Sequence, residues 1–320
     1  MSAGTASVLE LCRIPLTVAP TTAYLMVGGR CERDCGFCAQ ARSSTGPEDM
    51  LSRVSWPPFP VRDVLHALRE REGAFQRVCL QCTAAAGAFD RLVALVGELK
   101  QALALPVDVS VLPPTPRAAD ALIEAGVDHI GFGVDAATAA IFGAVKGGGW
   151  RLYRDLIEHV AHNHPGRLAV HLIAGLGESE KELVEAAQLY ADLGATVGLF
   201  AFCPVPGTRL AGSGQPPLPS YRRVQIAAYL IALGVVRAGD CDFDAEGRLA
   251  RLPERAAGHL LDGMAFQTSG CPGCNRPYYN ERPGGDLYNY PRPLTQEETR
   301  EAMLTSGLAQ LKELVEAGVV

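Results

Sequence analysis

Three cysteines stand within eight residues near the start of the chain, at Cys31, Cys35 and Cys38. Three thiolates can hold three irons of a cubic four-iron cluster and leave the fourth iron open to a substrate or cofactor. A structural zinc knuckle is the alternative, but it needs a fourth Cys or His nearby, and none occurs between Ala39 and Leu65. The spacing therefore favours an iron–sulfur cluster with one open coordination position.

A second pair of cysteines, Cys271 and Cys274, stands far downstream in a C-x2-C turn. The Pro and Gly between them fold the chain so that both sulfurs face one metal. At least one more ligand is needed. Cys241 lies near a late predicted strand and Cys203 ends another, so both are candidates. Weaker candidates are Cys79, Cys82 and Cys12. We interpret the pair as ligands of a second iron–sulfur cluster, with a structural zinc as the alternative.

Composition narrows the class of protein. The formal charge of −6 argues against a broad nucleic-acid-binding face. The N-terminus has no basic region followed by a long apolar run, and no uncharged apolar stretch is long enough to span a bilayer. We therefore expect a cytoplasmic protein without membrane or nucleic-acid partners. Its ten cysteines would stay reduced, which favours metal ligation over disulfides.

The elements that position these cysteines alternate between strand and helix patterns. The predicted strands are 24–27, 77–81, 107–112, 128–134, 168–174 and 196–203, and the predicted helices are 61–72, 88–104, 116–126, 150–163, 179–193 and 220–235. Strands that are apolar nearly throughout suit a parallel sheet covered by helices. The pattern predicts an α/β fold, a full or partial TIM-like (β/α) barrel, with a doubly wound open sheet as the alternative. The first cysteine set then follows the first strand, where catalytic groups of barrels gather.

Three regions are predicted along the chain: an N-terminal segment over 1–20, the barrel over 21–263, and a C-terminal extension over 264–320. A further strand is predicted within 235–243. The extension carries the C-x2-C pair in a Gly-, Pro-, Asn- and Tyr-rich stretch and ends in a helix predicted over 296–317.

The C-x3-C-x2-C spacing, with Phe37 before the last Cys, resembles the signature of the radical S-adenosylmethionine (SAM) superfamily. That resemblance implies that SAM chelates the open iron and is cleaved to a 5′-deoxyadenosyl radical, which takes hydrogen from an unactivated carbon. Ile173-Ala-Gly-Leu-Gly-Glu178 is similar to the family's segment beside the adenine, which implies roles for Ile173 and Gly175. Gly133-Val-Asp135 resembles the Asn-x-Asp strand of biotin synthase. Gln81 opens a stretch that lies where the family has a turn near the SAM amino group.

Two of these assignments have alternatives. Asp135 either hydrogen-bonds a ribose hydroxyl or caps the helix that follows. Arg151 or Arg154 pairs with the SAM carboxylate, or is a solvated helix residue. Gly133 stands where biotin synthases have Asn, which argues against dethiobiotin as the substrate.

The C-terminal stretch CPGCNRPYYNERPGG, followed by Tyr288-Asn-Tyr-Pro291, narrows the resemblance. Over about 23–293 the chain is similar to the two-component lipoyl synthases. The chain departs from biotin synthase, since the strand before Gly175 offers His171 but no Cys. It departs from ordinary lipoyl synthase, since only Cys12 precedes the first cysteine set. The resemblance implies an octanoyl-lysyl group on a lipoyl carrier protein or H protein as substrate, a sister radical SAM protein, and an electron donor such as ferredoxin or flavodoxin.

Two other hypotheses compete with sulfur insertion. In one, the protein is a radical mutase, methylase or ring-forming enzyme, and the C-x2-C pair holds a structural zinc. In the other, it is an iron–sulfur carrier without catalytic activity, which would not convert SAM to 5′-deoxyadenosine.

Overall fold

Six parallel strands form the central sheet, and they lie side by side in the order in which the chain makes them. The structure is a computed structural model that describes residues 1–281 and 284–319. Its strands are β1 (Thr22–Val27), β2 (Met50–Leu51), β3 (Val54–Ser55), β4 (Arg77–Cys82), β5 (Val107–Ser110), β6 (His129–Asp135), β7 (Leu168–Ala174), β8 (Thr196–Ala201), β9 (Asp242–Phe243) and β10 (Leu249–Arg251). The central sheet is β1 and β4 to β8, whereas β2–β3 and β9–β10 are separate antiparallel pairs.

The helices connect these strands and extend the fold at both ends. They are α1 (Ala3–Val8), α2 (Val61–Glu70), α3 (Ala88–Ala102), α4 (Pro116–Glu124), α5 (Ala139–Lys146), α6 (Trp150–Asn163), α7 (Glu180–Asp192), α8 (Leu218–Ala232), α9 (Gln296–Thr305) and α10 (Ala309–Glu316). Parallel strands in sequential order, joined by right-handed crossovers, carry all connecting helices on one face of the sheet. A doubly wound sheet would need a reversal in strand order. The predicted α/β fold is confirmed in its partial TIM-like barrel form.

Local sequence signals explain several helix boundaries. Thr115 accepts a hydrogen bond from the Ala118 amide and Pro116 occupies the first turn, so α4 begins with a cap and a preset φ. Before α7, Ser179 and Glu182 bond to each other's backbone amides in a capping box. α4 follows β5 and α7 follows β7, both strands that the apolar runs predicted. Each cap fixes the residue at which its helix begins.

Of the strand predicted within 235–243, only Asp242–Phe243 forms a strand, and it is not part of the barrel. A short 3-10 turn over Ala238–Asp240 leads instead into β9, which pairs with β10 away from the barrel. Asp240, Asp242 and Asp244 alternate through this stretch. Their carboxylates would be buried without partners in a parallel barrel strand, and that burial costs more than the strand would gain.

A second hydrophobic core stabilises the C-terminal part of the chain. Residues of α8, α9 and α10 are buried together there with Phe266 and Cys241. The helix predicted over 296–317 is broken into α9 and α10 at Gly307, whose φ of +70° an L-residue rarely adopts. The break lets Met303 and Leu311 both turn into this core, where both are fully buried.

The sheet has two edges, β1 and β8, and the segment 268–281 lies between them. Ser269 Oγ accepts a hydrogen bond from the amide of Leu199 on β8 at 2.8 Å. On the other side, Asn275 Oδ1 accepts one from the amide of Thr21, just before β1, at 3.0 Å. The segment therefore closes the open side of the partial barrel.

Within residues 1–281 and 284–319, no helix combines the length and apolar character needed to cross a lipid bilayer.

We predict that Arg222 anchors the C-terminal extension to the barrel. Its buried guanidinium donates to Tyr288 O and Gln225 Oε1, each at 2.7 Å, and to Leu287 O. An Arg222→Met variant keeps the length of the side chain but removes these three hydrogen bonds and leaves Tyr288 O with only the Gln225 Nε2 donor, so it should lower the free energy of unfolding by about 3 kcal/mol. Urea unfolding measures this loss.

The matched control is the same substitution at Arg292, whose pair with Glu298 is exposed to solvent. Exposed pairs contribute less than about 1 kcal/mol. Equal losses in the two variants would contradict an anchoring role for Arg222.

Candidate iron–sulfur site

The loop after β1 presents Cys31, Cys35 and Cys38 from a backbone that is braced at several points. The Cys31 amide donates to Gln40 O at 2.8 Å, and the Cys38 amide donates to Cys35 O at 3.1 Å. The Gly36 amide donates to Val145 O at 2.7 Å, which ties the loop to the end of α5. The cysteine spacing is thus held in a turn that points its thiols towards one place.

The environment of these thiols fits a metal cluster. Burial, with the neighbouring Cys35 adding to it, raises the pKa of Cys38 to about 12. Burial also raises the pKa of Cys35, against the charge of Lys146. Thiolate is the form that binds a metal, so these two thiols would lose their protons on binding one, and the metal would offset the cost of burying the charge. The three residues therefore fit a 4Fe–4S cluster, which would be held by their sulfurs.

A cavity of about 460 Å³ runs through the barrel from this loop to the opposite end. Cys31, Phe37 and Cys38 line it near the C-terminal ends of the strands. Cys271 and Cys274 line it at the other end, near the start of β4 and β5. The two cysteine sets thus face one interior space, although they are far apart in the sequence.

The structure places most of the predicted SAM-side residues around this cavity. Phe37, Gln81, Asp135 and Ile173 all line it. Gly175 does not line it; its φ of +101° and close approach to Pro216 show a backbone role at the end of β7.

Arg151 is exposed on α6 and lies outside the cavity lining, so the structure does not bring it to the cluster loop. Arg154 also faces outward, paired with Glu158 at 2.7 Å. The helical position of both residues on α6 explains this, because the inward face of that helix carries the buried Tyr153, Leu156 and Ile157 instead.

A buried cation that was not predicted from the sequence, Lys146, lines the cavity at this end. Its ammonium is buried, pairs with Asp135 and donates to Gly133 O. Although burial disfavours the charged form, the Asp135 carboxylate raises the pKa of Lys146 above its usual value. A lysine at the end of a helix carries no signal in a single sequence, so only the fold reveals this pair.

Asp135 does not cap α5. Thr138 is the N-cap, and its Oγ1 accepts a hydrogen bond from the Ile141 amide. Asp135 instead stands at a register shift at the end of β6 with a φ of +67°. Irregularities of this kind recur next to active sites because they re-aim a side chain. The capping alternative is therefore wrong, and the carboxylate faces the cavity.

At the other end of the cavity, a buried ion pair holds the C-x2-C turn. Arg77 Nε donates to Pro272 O at 2.7 Å, and its guanidinium pairs with Asp108. Asp108 Oδ1 lies 2.9 Å from His129 Nδ1. Although burial opposes ionisation, the His129 hydrogen bond and the Arg77 charge lower the pKa of Asp108. The carboxylate therefore stays ionised beside Cys271.

The ligand atoms of Asp108, His129 and Cys271 all lie within 4.8 Å of one another, which is close enough for a single metal ion. The Arg77 guanidinium is already in contact with Asp108, and its charge repels a cation at that position. Cys274 is outside this group. A single ion held by Asp108, His129 and Cys271 would leave Cys274 unused. The arrangement therefore favours a larger site that uses both cysteines of the turn.

Cys79, on β4, lies beside the C-x2-C pair. It packs with Cys274 against Tyr24 and Tyr279. Burial raises the pKa of Cys79 well above its usual value, and Asp108, Cys271 and Cys274 raise it further. From the sequence, Cys79 ranks below Cys241 and Cys203. It nevertheless lies on the same face of β4 as the polar Arg77 and Gln81, and this alternation along the strand is the signal that it faces the cavity.

The two additional ligands favoured from the sequence, Cys241 and Cys203, lie in different environments. Cys241 is buried in the second core, with its Sγ 3.7 Å from Arg237 O, and it is not among the cavity-lining residues. Cys203 does line the cavity, where Arg53 donates to its Sγ at 3.1 Å. Within the C-terminal motif, Arg282 and Pro283 lie outside the described residues.

We predict that the buried charges of Lys146 and Asp135 are tolerated in the fold only when both are present. A Lys146→Met variant leaves the buried Asp135 carboxylate without its cation, and it should lower the free energy of unfolding by about 3 kcal/mol. The double variant Asp135→Asn with Lys146→Met removes both charges and should lose less than Lys146→Met alone. Thermal or urea unfolding of the wild type, Lys146→Met, Asp135→Asn and the double variant measures the coupling energy between the two charges. Additive losses would show that the two charges do not interact.

Comparison with known proteins agrees with this geometry. Residues 25–190 match the family model of the radical SAM superfamily. The chain is 31% identical over 201 residues to a biotin synthase of Desulforudis audaxviator, over 60% of this chain and 58% of that protein. It is 27% identical over 247 residues to a biotin synthase of Hydrogenobaculum sp., over 75% of this chain and 70% of that protein. The chain thus spans less than two thirds of the Desulforudis relative.

Solved structures share the fold at low sequence identity. Methylornithine synthase superimposes with a TM-score of 0.53 at 15% identity, covering 67% of this chain and 62% of that one. An FeFe-hydrogenase maturase from Carboxydothermus hydrogenoformans gives a TM-score of 0.50 at 15% identity, covering 67% and 52%. With the family model spanning the cluster loop and most of the barrel, this chain belongs to the radical SAM superfamily, and it is similar to biotin synthases.

Proposed function

We propose that this radical SAM enzyme inserts sulfur into an unactivated C–H bond, as one step of lipoyl cofactor formation on an octanoyl-lysyl carrier protein. The observation that carries the proposal is that two separate cysteine sets line opposite ends of one cavity. In this proposal the carrier is a lipoyl carrier protein or H protein, a sister radical SAM protein completes the modification, and a ferredoxin or flavodoxin supplies electrons.

The two ends of the cavity suit two different tasks. When bound, SAM and the cluster of the first set supply a carbon-centred radical, and an auxiliary cluster at the second set supplies sulfur. Lys146 and Asp135 line the first end, where their charges can orient the polar groups of SAM. Arg77 and Asp108 fix the turn at the second end. A substrate carbon held between the ends lies within reach of both.

The middle of the cavity suits an alkyl chain. Burial, with the charge of Arg276 adding to it, lowers the pKa of His171 to about 4, so this imidazole is neutral at physiological pH. Its ring packs edge to face on Phe200. The Arg276 guanidinium, which also lines the cavity, lies over the Phe200 ring and donates to Ser269 O, so a hydrocarbon chain can pack on His171 and Phe200 without displacing its partners.

The cysteine arrangement also supports a ligand set for the auxiliary cluster. Cys79 lies beside Cys271 and Cys274, whereas Cys241 is buried in a different core. We assign Cys79, Cys271 and Cys274 as its thiolate ligands, in place of the set that includes Cys241. Cys203 lines the same cavity and is engaged by Arg53. The competing hypothesis of a structural zinc places one ion at the same turn.

Iron content tests the auxiliary site. After anaerobic reconstitution the wild-type protein should hold about eight irons per chain, and Cys271→Ala with Cys274→Ala should reduce this to about four. Cys79→Ala should lower the iron content in the same way, because it removes one of three thiolates. Iron analysis with electron paramagnetic resonance of the reduced protein measures both clusters.

Cys241→Ala is the matched control, since it removes a buried cysteine outside the cavity and should keep the full iron content. Loss of iron in that variant but not in Cys79→Ala would refute the ligand assignment. One zinc per chain with about four irons would support the structural-zinc hypothesis instead.

Mass spectrometry tests the reaction. An octanoyl-lysyl peptide incubated with reconstituted protein, SAM and a reductant should gain one sulfur, and 5′-deoxyadenosine should form. The Cys271→Ala, Cys274→Ala double variant should still cleave SAM but leave the peptide without sulfur, because the first cysteine set is intact. Cleavage of SAM by the wild type with no change in the peptide would point to another substrate.

A further inference from the structure

A second cavity, of about 300 Å³, lies beside the closed side of the barrel. Its walls come from the N-terminal segment, the β2–β3 pair and the end of the segment 268–281. Most of these walls are apolar and include Leu16, Val18 and Pro20. The volume and character are those of a ligand pocket, which is mainly apolar with a few placed polar groups.

One of those polar groups is Glu281, which is 3% exposed and lines the second cavity. Its Oε2 has no hydrogen-bond partner among residues 1–281 and 284–319. Burial raises the pKa of Glu281 to about 8, against the charges of Arg222 and Arg276. A buried carboxyl oxygen without a partner costs free energy, so Oε2 indicates a group that arrives with a ligand.

The second cavity meets the first at a wall of two tyrosines. Tyr24 and Tyr279 line both cavities, and their ring centroids lie 5.5 Å apart. Tyr24 Oη lies 3.2 Å from Cys274 Sγ, directly behind this wall. A chain that passes the tyrosines from the second cavity therefore arrives beside the C-x2-C pair.

The two tyrosines are held differently. Tyr24 Oη also accepts a hydrogen bond from the Arg276 amide at 3.0 Å, which fixes its ring. In the part of the chain that the structure describes, Tyr279 Oη has no hydrogen-bond partner. Among the residues that the structure describes, Tyr279 is held by packing against Tyr24 and Trp56 and not by a hydrogen bond of its hydroxyl, so a turn of its ring would break no hydrogen bond.

We infer that the second cavity binds the acylated lysine arm of the substrate, with Glu281 hydrogen-bonded to its amide and the alkyl end passing Tyr279 towards Cys274. The inference rests on the proposed function, since it takes an octanoyl-lysyl group as the substrate. Such an arm is a long apolar chain with one amide in it. The apolar walls and the single unpartnered carboxyl match that chemistry.

Binding of a fluorescent peptide that carries octanoyl-lysine to reconstituted protein tests the inference without turnover. Val18→Trp fills the cavity and Glu281→Leu removes the hydrogen-bonding group, so each should weaken binding at least tenfold. Glu281→Gln keeps a group that can bond an amide and should stay within threefold of the wild type. Val61→Trp, at an exposed position at the start of α2, is the matched control and should bind as the wild type does.

The variants are compared at equal iron content and equal melting temperature. If the buried Glu281→Leu variant fails to fold, Val18→Trp alone still tests whether the cavity binds the peptide. If the wild type binds the octanoyl-lysyl peptide and Val18→Trp and Glu281→Leu bind as tightly as Val61→Trp, the inference is wrong while the proposed function stands. If the wild type binds the octanoyl-lysyl peptide no better than the same peptide without the acyl group, both are overturned.

Discussion

The open side of a six-stranded partial barrel is the constraint on which the rest of this structure depends. β1 and β8 each leave a row of backbone groups without a neighbouring strand, and buried groups of that kind must find partners. The segment 268–281 supplies them with side chains; Asn280 Oδ1, for example, accepts a hydrogen bond from the Ala201 amide. Because this segment also contains the C-x2-C turn, closing the barrel carries Cys271 and Cys274 into its interior.

Charge is balanced locally at both ends of the resulting cavity. Lys146 pairs with Asp135 near the first cysteine set, and Arg77 pairs with Asp108 near the second. Each pair is buried, so removal of one partner leaves a charge that the low-dielectric interior does not stabilise. These pairs make the two ends polar and rigid, whereas His171, Phe200 and the Arg276 guanidinium line the space between them.

A further buried cation, Arg276, connects the closing segment to the barrel. Its guanidinium lies 4.1 Å from the centroid of the Phe200 ring and donates to Ser269 O at 2.6 Å. Gly198 and Gly270 leave the space it occupies; a Cβ at Gly270 would stand 2.9 Å from Arg276 Nη1. The closing segment is therefore packed into the barrel, so the second cysteine set is held as firmly as the first.

The sequence by itself determined the six strands of the barrel and most of its helices, and it singled out Cys31, Cys35 and Cys38, because periodicity and a short cysteine spacing are local properties of the chain. It also identified Cys271 and Cys274 as a pair. Only the tertiary structure decided which distant residues lie near the two cysteine sets: Cys79, and not Cys241, is beside Cys271 and Cys274, and Lys146, and not Arg151, lines the first end of the cavity. Whether a residue faces the barrel interior depends on strand register and helix rotation, and both are set by packing between segments that are remote in sequence.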